Sequence, residues 1–112
     1  MKIYHNPRCS KSRQTLALLQ EKGLEPEVVL YLDTVPTNDE LKILIAKLQI
    51  HPIQLVRKGE AVWKEKFKGK ELSDDEIIAA MISNPKLIER PIVVKDNKAV
   101  LGRPPENALE LI

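Results

Sequence analysis

The segment His5-Asn6-Pro7-Arg8-Cys9-Ser10-Lys11-Ser12 holds the only cysteine of the chain, placed after a proline and between basic residues. A cysteine needed only for packing sits among aliphatic side chains; this one stands where a strand gives way to a helix. If the helix starts at Ser10, Cys9 lies at or beside its N-cap. The first backbone N–H groups of a helix have no partner within it, and together with the positive end of the helix dipole they favour thiolate over thiol. Lys11 and Arg13 add positive charge, and Ser10 or Ser12 can donate hydrogen bonds. Cys9 is therefore the candidate nucleophile. Three positions on stands Ser12 rather than a second cysteine, so dithiol chemistry of the Cys-x-x-Cys kind is excluded and monothiol chemistry remains.

A nucleophile needs a place for its substrate, and two arginines supply a candidate. The run Ile92-Val93-Val94-Lys95, then Asp96-Asn97, then Lys98-Ala99-Val100-Leu101 predicts a β-hairpin. A two-residue turn sets Lys95 against Lys98, Val94 against Ala99, Val93 against Val100 and Ile92 against Leu101. Extended to its open end, that register brings Arg90 opposite Arg103. Like charges facing each other cost stability. Each arginine precedes a proline, which keeps its backbone extended. Two stiffly held guanidinium groups at one hairpin end form a fork for an oxyanion, because arginine binds such groups bidentately. Arg57, between Val56 and Lys58, is a weak candidate on pattern alone and reads as a surface residue.

The elements that must hold these groups follow from periodicity. Lys2-Ile3-Tyr4 predicts a first strand. The residues from Ser10 predict a helix with an apolar stripe over Leu16, Ala17, Leu18 and Leu19, stopped at Gly23. Val28–Leu32 predicts a buried, parallel strand. Thr37-Asn38-Asp39-Glu40 and Ser73-Asp74-Asp75-Glu76 are capping boxes ahead of two apolar helical runs. Trp63 and Phe67, four apart, predict a short helix between them. Pro104-Pro105 opens a last helix carrying Ala108, Leu109 and Ile112. The order βαβ, helices, ββα is the α/β thioredoxin-like plan with a helical insertion at about 37–84 in a single domain, 1–112. In such folds the proline before the hairpin strand, here Pro91, is commonly a structural cis-proline. With 112 residues, 43% hydrophobic and 30% charged, and a net charge of +2, the composition is that of a globular domain. It gives no general case for nucleic acid or a membrane as partner. His5 and His51 alone make no metal site. A lone thiol and no apolar leader point to a cytoplasmic protein.

Taken in order, His5-Asn6-Pro7-x-Cys9-x-x-Ser12-Arg13-x-Thr15-Leu16, Leu55-Val56-Arg57-Lys58, Arg90-Pro91-Ile92-Val93-Val94 and Leu101-Gly102-Arg103-Pro104 resemble the glutaredoxin-coupled arsenate reductase family across almost the whole chain. The resemblance implies that Cys9 attacks arsenate or a similar oxyanion, that Arg57, Arg90 and Arg103 hold its oxygens, and that His5, with Ser12, supports the thiolate. It also implies glutathione as co-substrate, glutaredoxin as recycling partner, no bound cofactor and a monomer. Ser10-Lys11 departs from the Gly-Thr that other members carry after the cysteine. Two further readings use the same residues. One is a glutathione-dependent thiol reductase whose arginines grip a glutathione carboxylate. The other is a redox-linked transcription regulator of the same fold family, although such regulators typically sense through Cys-x-x-Cys.

Overall fold

The computed structural model describes residues 1–112, which divide into two compact units: Met1–Thr34 with Arg90–Ile112, and Val35–Glu89. The first is an α/β unit with the thioredoxin-like βαβ…ββα order. Strands β1 (Lys2–Tyr4), β2 (Glu27–Val29), β3 (Ile92–Lys95) and β4 (Lys98–Leu101) form one sheet in the order β2-β1-β3-β4. β1 runs parallel to β2 and antiparallel to β3. Helix α1 (Ser10–Glu21) makes the crossover between the parallel strands. The hairpin adopts the expected register, from Lys95 opposite Lys98 to Ile92 opposite Leu101. Asp96 turns it with a left-handed φ of 55°.

α1 stops as its sequence predicts. Gly23, at φ +80°, donates to the Gln20 carbonyl, while the Leu24 N–H reaches back to Leu19, the paired bonds of a Schellman ending. Leu24 then packs on the core formed by Ile3, Leu19, Val93, Ala108 and Leu111.

Three local expectations are corrected. The buried residues of α1 are Ser12, Thr15 and Leu19, with Leu16 packed partly buried against the core and Ala17 exposed, so the core-facing side takes in two hydroxyls and only part of the expected apolar stripe. The second strand is shorter than expected and lies at the sheet edge: Val28 and Leu30 are exposed, and the chain turns at Leu30, whose carbonyl accepts from Asp33 and Thr34. Only Tyr31 of that run is fully buried. The last helix, Pro105–Leu111, is of the 3-10 type. Its three-residue turn puts Pro105, Ala108 and Leu111 on one line, so these are buried while Leu109 and Ile112 face solvent.

The second unit is helical: α2 (Asn38–Leu48), α3 (Ala61–Lys66) and α4 (Asp74–Ser83), with 3-10 turns at Pro52–Leu55 and Pro85–Leu87. Both capping boxes form. Thr37 Oγ1 accepts from Glu40 N–H at 3.1 Å and Ser73 Oγ from Glu76 N–H at 3.2 Å, and each glutamate returns the bond. Such caps contribute on the order of 1 kcal/mol each. α2 buries Leu41, Leu44 and Ile45; α4 buries Ile77, Ile78, Ala80 and Met81. Trp63 and Phe67 stack with ring centroids 5.5 Å apart. No helix is long and apolar enough to cross a membrane.

Candidate active site

The loop after β1 is built almost entirely from its own hydrogen bonds. Asn6, though polar, is buried because it ties three positions: its carbonyl accepts from Cys9 N–H at 3.0 Å, its side-chain oxygen from Arg8 N–H at 3.0 Å, and its own N–H donates to Ser12 Oγ at 3.1 Å. Arg13 Nη1 closes the loop from outside by donating to the Pro7 carbonyl at 2.9 Å. These bonds hold Cys9 as the N-cap of α1, at φ −94° and ψ 123°, with its thiol half-buried.

The thiol's surroundings oppose and then favour ionisation. Partial burial pushes its pKa up. The Ser12 N–H, the Arg90 guanidinium and the Lys11 N–H together outweigh that penalty, and the thiol is held below its ordinary range. Arg103 Nη1 stands 3.9 Å from Sγ, at the outer reach of an N–H···S contact, so the helix-start donors and Arg90 carry most of the stabilisation. The same Arg103 nitrogen donates to the Arg90 main-chain carbonyl at 3.3 Å, which ties the Arg103 guanidinium to the backbone at Arg90. The rate of iodoacetamide alkylation of Cys9 is therefore expected to rise with pH to a plateau whose midpoint lies below that of an ordinary thiol. A midpoint at or above about 8.5 would remove thiolate stabilisation from the account.

His5 is buried at the end of β1, with Nδ1 2.6 Å from Ser12 Oγ. Burial, then the positive charge of Arg13, lowers its pKa, so the ring is neutral near pH 7. Ser12 Oγ either donates to that nitrogen or accepts from it according to the tautomer. Its effect on the sulfur passes through Ser12, whose hydroxyl it orients and whose N–H faces the thiol.

The fork is tied to the thiol's helix by contacts the sequence did not suggest. Thr15, fully buried, donates from Oγ1 toward the Lys11 carbonyl at 2.8 Å and the Gly102 carbonyl at 3.2 Å. Gly102 N–H in turn donates to the Pro91 carbonyl at 2.9 Å. The peptide bonds before Pro91 and before Pro104 are both cis. The first matches expectation; the second was not foreseen.

The structure thus brings together Cys9, Ser12, His5, Arg90 and Arg103, with Pro91 beside Gly102. Arg57 belongs to the helical unit. The Arg57 N–H donates to the Leu87 carbonyl at 2.7 Å, beside a bridge between Val56 and Ile88. Its guanidinium is mostly buried and lies between Glu60 at 3.6 Å and Glu89 at 3.8 Å, which corrects its reading as a surface residue.

Comparison with known proteins agrees with this fold. Residues 4–111 match the model of the ArsC family. The Escherichia coli K12 protein YfgD is 52% identical, covering 100% of this chain and 96% of its own length. The arsenate reductase of Haemophilus influenzae is 44% identical over 98% of this chain and 97% of its own. Among solved structures, an arsenate reductase from Vibrio cholerae superimposes with a TM-score of 0.95 at 50% identity, covering 99% of this chain and 96% of that one.

Proposed function

The chain belongs to the ArsC family, and on that footing we propose that it reduces arsenate, with Cys9 as nucleophile and Arg90 and Arg103 as the oxyanion fork. The observation that carries this reading is the pairing of a stabilised thiol with two guanidinium groups, that of Arg103 at 3.9 Å from Sγ and that of Arg90 among the groups that favour the thiolate. The family resemblance also singles out Arg57, whose guanidinium lies between Glu60 and Glu89 within the helical unit.

Reduction of arsenate to arsenite takes two electrons, and the protein supplies one thiol. In the first step Cys9 sulfur bonds to arsenic and one arsenate oxygen leaves as water, giving a Cys9–S–As(V) adduct. The arginines offset charge on the remaining oxygens, an effect worth roughly 3 kcal/mol per well-placed donor in comparable oxyanion sites. An external thiol, proposed to be glutathione, then attacks Cys9 sulfur. The S–As bond breaks with its electron pair on arsenic, the thiol proton goes to an arsenic oxygen, and arsenite leaves as As(III). Cys9 remains as a mixed disulfide, which a second thiol, proposed to be that of glutaredoxin, exchanges to regenerate Cys9. No bound cofactor enters these steps, and the reading takes the protein as a monomer. A lone, reactive thiol suits the reducing cytoplasm.

The distinguishing experiment gives the purified protein, glutathione and glutaredoxin either arsenate or a glutathionylated thiol. Arsenite formation that depends on both external thiols is expected. Removal of glutathione from the second substrate without any arsenite would assign the arginines to a glutathione carboxylate and make the protein a thiol reductase.

A further inference from the structure

A cavity of about 310 Å³ opens beside the cysteine loop, past the C-terminal ends of the two parallel strands. Pro7 and Arg8 line it on the side of the loop after β1; Leu30, Leu32 and Asp33 line it on the side of the turn after β2. In parallel sheets the crevice beyond the strands' carboxyl ends is the usual place for a ligand. The volume falls at the low end of small-molecule sites, room for a short peptide or an amino-acid derivative.

Three features make it a built site rather than a surface dip. Its rim is fixed before any ligand arrives, because Asn6 Oδ1 holds the Arg8 N–H and Arg13 holds the Pro7 carbonyl. It carries one cation and one anion, Arg8 and Asp33, and neither is engaged in an ion pair within the chain. Leu30 and Leu32, over a third exposed, add apolar surface to its lining. The cavity adjoins the groups that support the thiol: His5 lines it, and His5 Nδ1 meets Ser12, whose N–H faces the Cys9 sulfur.

We propose that this cavity holds the small thiol co-substrate, a zwitterionic peptide or amino-acid thiol whose carboxylate pairs with Arg8 and whose ammonium pairs with Asp33, its methylene groups lying on Leu30 and Leu32. The oxyanion and the second thiol then have separate places, one on the arginine fork and one across the cysteine loop. This deepens the reading of the protein as a monothiol reductase, since a lone cysteine requires an outside thiol in each turnover.

S-methylglutathione, which has both charged ends and no reactive thiol, tests the site without any arsenate chemistry. Titrated into the ¹⁵N-labelled protein, it is expected to shift the amides of Arg8, Leu30, Leu32 and Asp33 in a saturable way. Arg8→Ala should weaken binding at least about fivefold, and Arg8→Lys by less. In the arsenate assay, Arg8→Ala should raise the KM for glutathione by a similar factor and leave the KM for arsenate unchanged. Shifts confined to Arg90 and Arg103, or binding indifferent to Arg8, would overturn the proposal. Failure of arsenate turnover with normal S-methylglutathione binding would instead discard arsenate as substrate and keep the thiol site.

Discussion

Cys9→Ser is expected to reduce arsenate turnover by at least about a thousandfold, to the background of glutathione alone. A serine hydroxyl at the N-cap is an adequate or better helix start than cysteine, so the variant keeps its fold and its thermal midpoint. What it loses is ionisation. The Ser12 and Lys11 N–H groups and Arg90 hold a thiolate near neutral pH, but no such set brings an alcohol into that range. Arsenate binding, measured by calorimetry, should survive, because Arg90 and Arg103 are untouched. Residual turnover above about one per cent of the parent rate would mean that arsenic is attacked directly by the external thiol and that the protein serves only as a template. The order-of-magnitude loss expected here is that of removing the only nucleophile from a covalent mechanism.

The nucleophilic half of the site was legible because its physics is local. A strand, a proline and a cysteine ahead of a helical run define an N-cap without knowledge of anything distant, and Cys9 occupies that place. The capping boxes at Thr37 and Ser73 are local in the same sense. The hairpin register was legible because a two-residue turn leaves little choice of pairing, and it carried Arg90 and Arg103 to the same end of the sheet. The features that escaped are non-local or depend on helix type. A threonine within a helix has no sequence mark to say that its hydroxyl bridges to a carbonyl 87 residues away. The edge position of β2 depends on which strand pairs outside it, so apolar Val28 and Leu30 looked buried when they are exposed. The closing segment was assigned the right start but the wrong period, and a 3-10 turn changed which residues face the core. Arg57 had no pattern of its own; only the resemblance singled it out.

The second large effect concerns Gly102, which sits where three elements meet. A methyl group there would lie 2.6 Å from Thr15 Oγ1, 2.7 Å from Pro91 Cγ and 2.9 Å from Thr15 Cγ2, closer than real side chains approach. Neither neighbour yields easily: Thr15 is fully buried and hydrogen-bonded, and the Pro91 carbonyl already accepts the Gly102 N–H. Gly102→Ala should therefore cost about 1–3 kcal/mol by overpacking and lower the thermal midpoint by roughly 4 °C per kcal/mol. The damage should also reach the site. Gly102 directly precedes Arg103, and Pro91 directly follows Arg90, so relief of the clash displaces the fork from the helix that carries Cys9. The KM for arsenate should rise, while alkylation of Cys9, which keeps the Ser12 and Lys11 N–H donors even when Arg90 moves, changes less. Thr15→Ala removes two of the three offending atoms. Combined with Gly102→Ala, it should recover part of the lost stability, so the double variant is less destabilised than the sum of the singles. Strict additivity would show that the close approach of Thr15 to Gly102 is not what positions the fork, and that the arginines take their geometry from the hairpin alone.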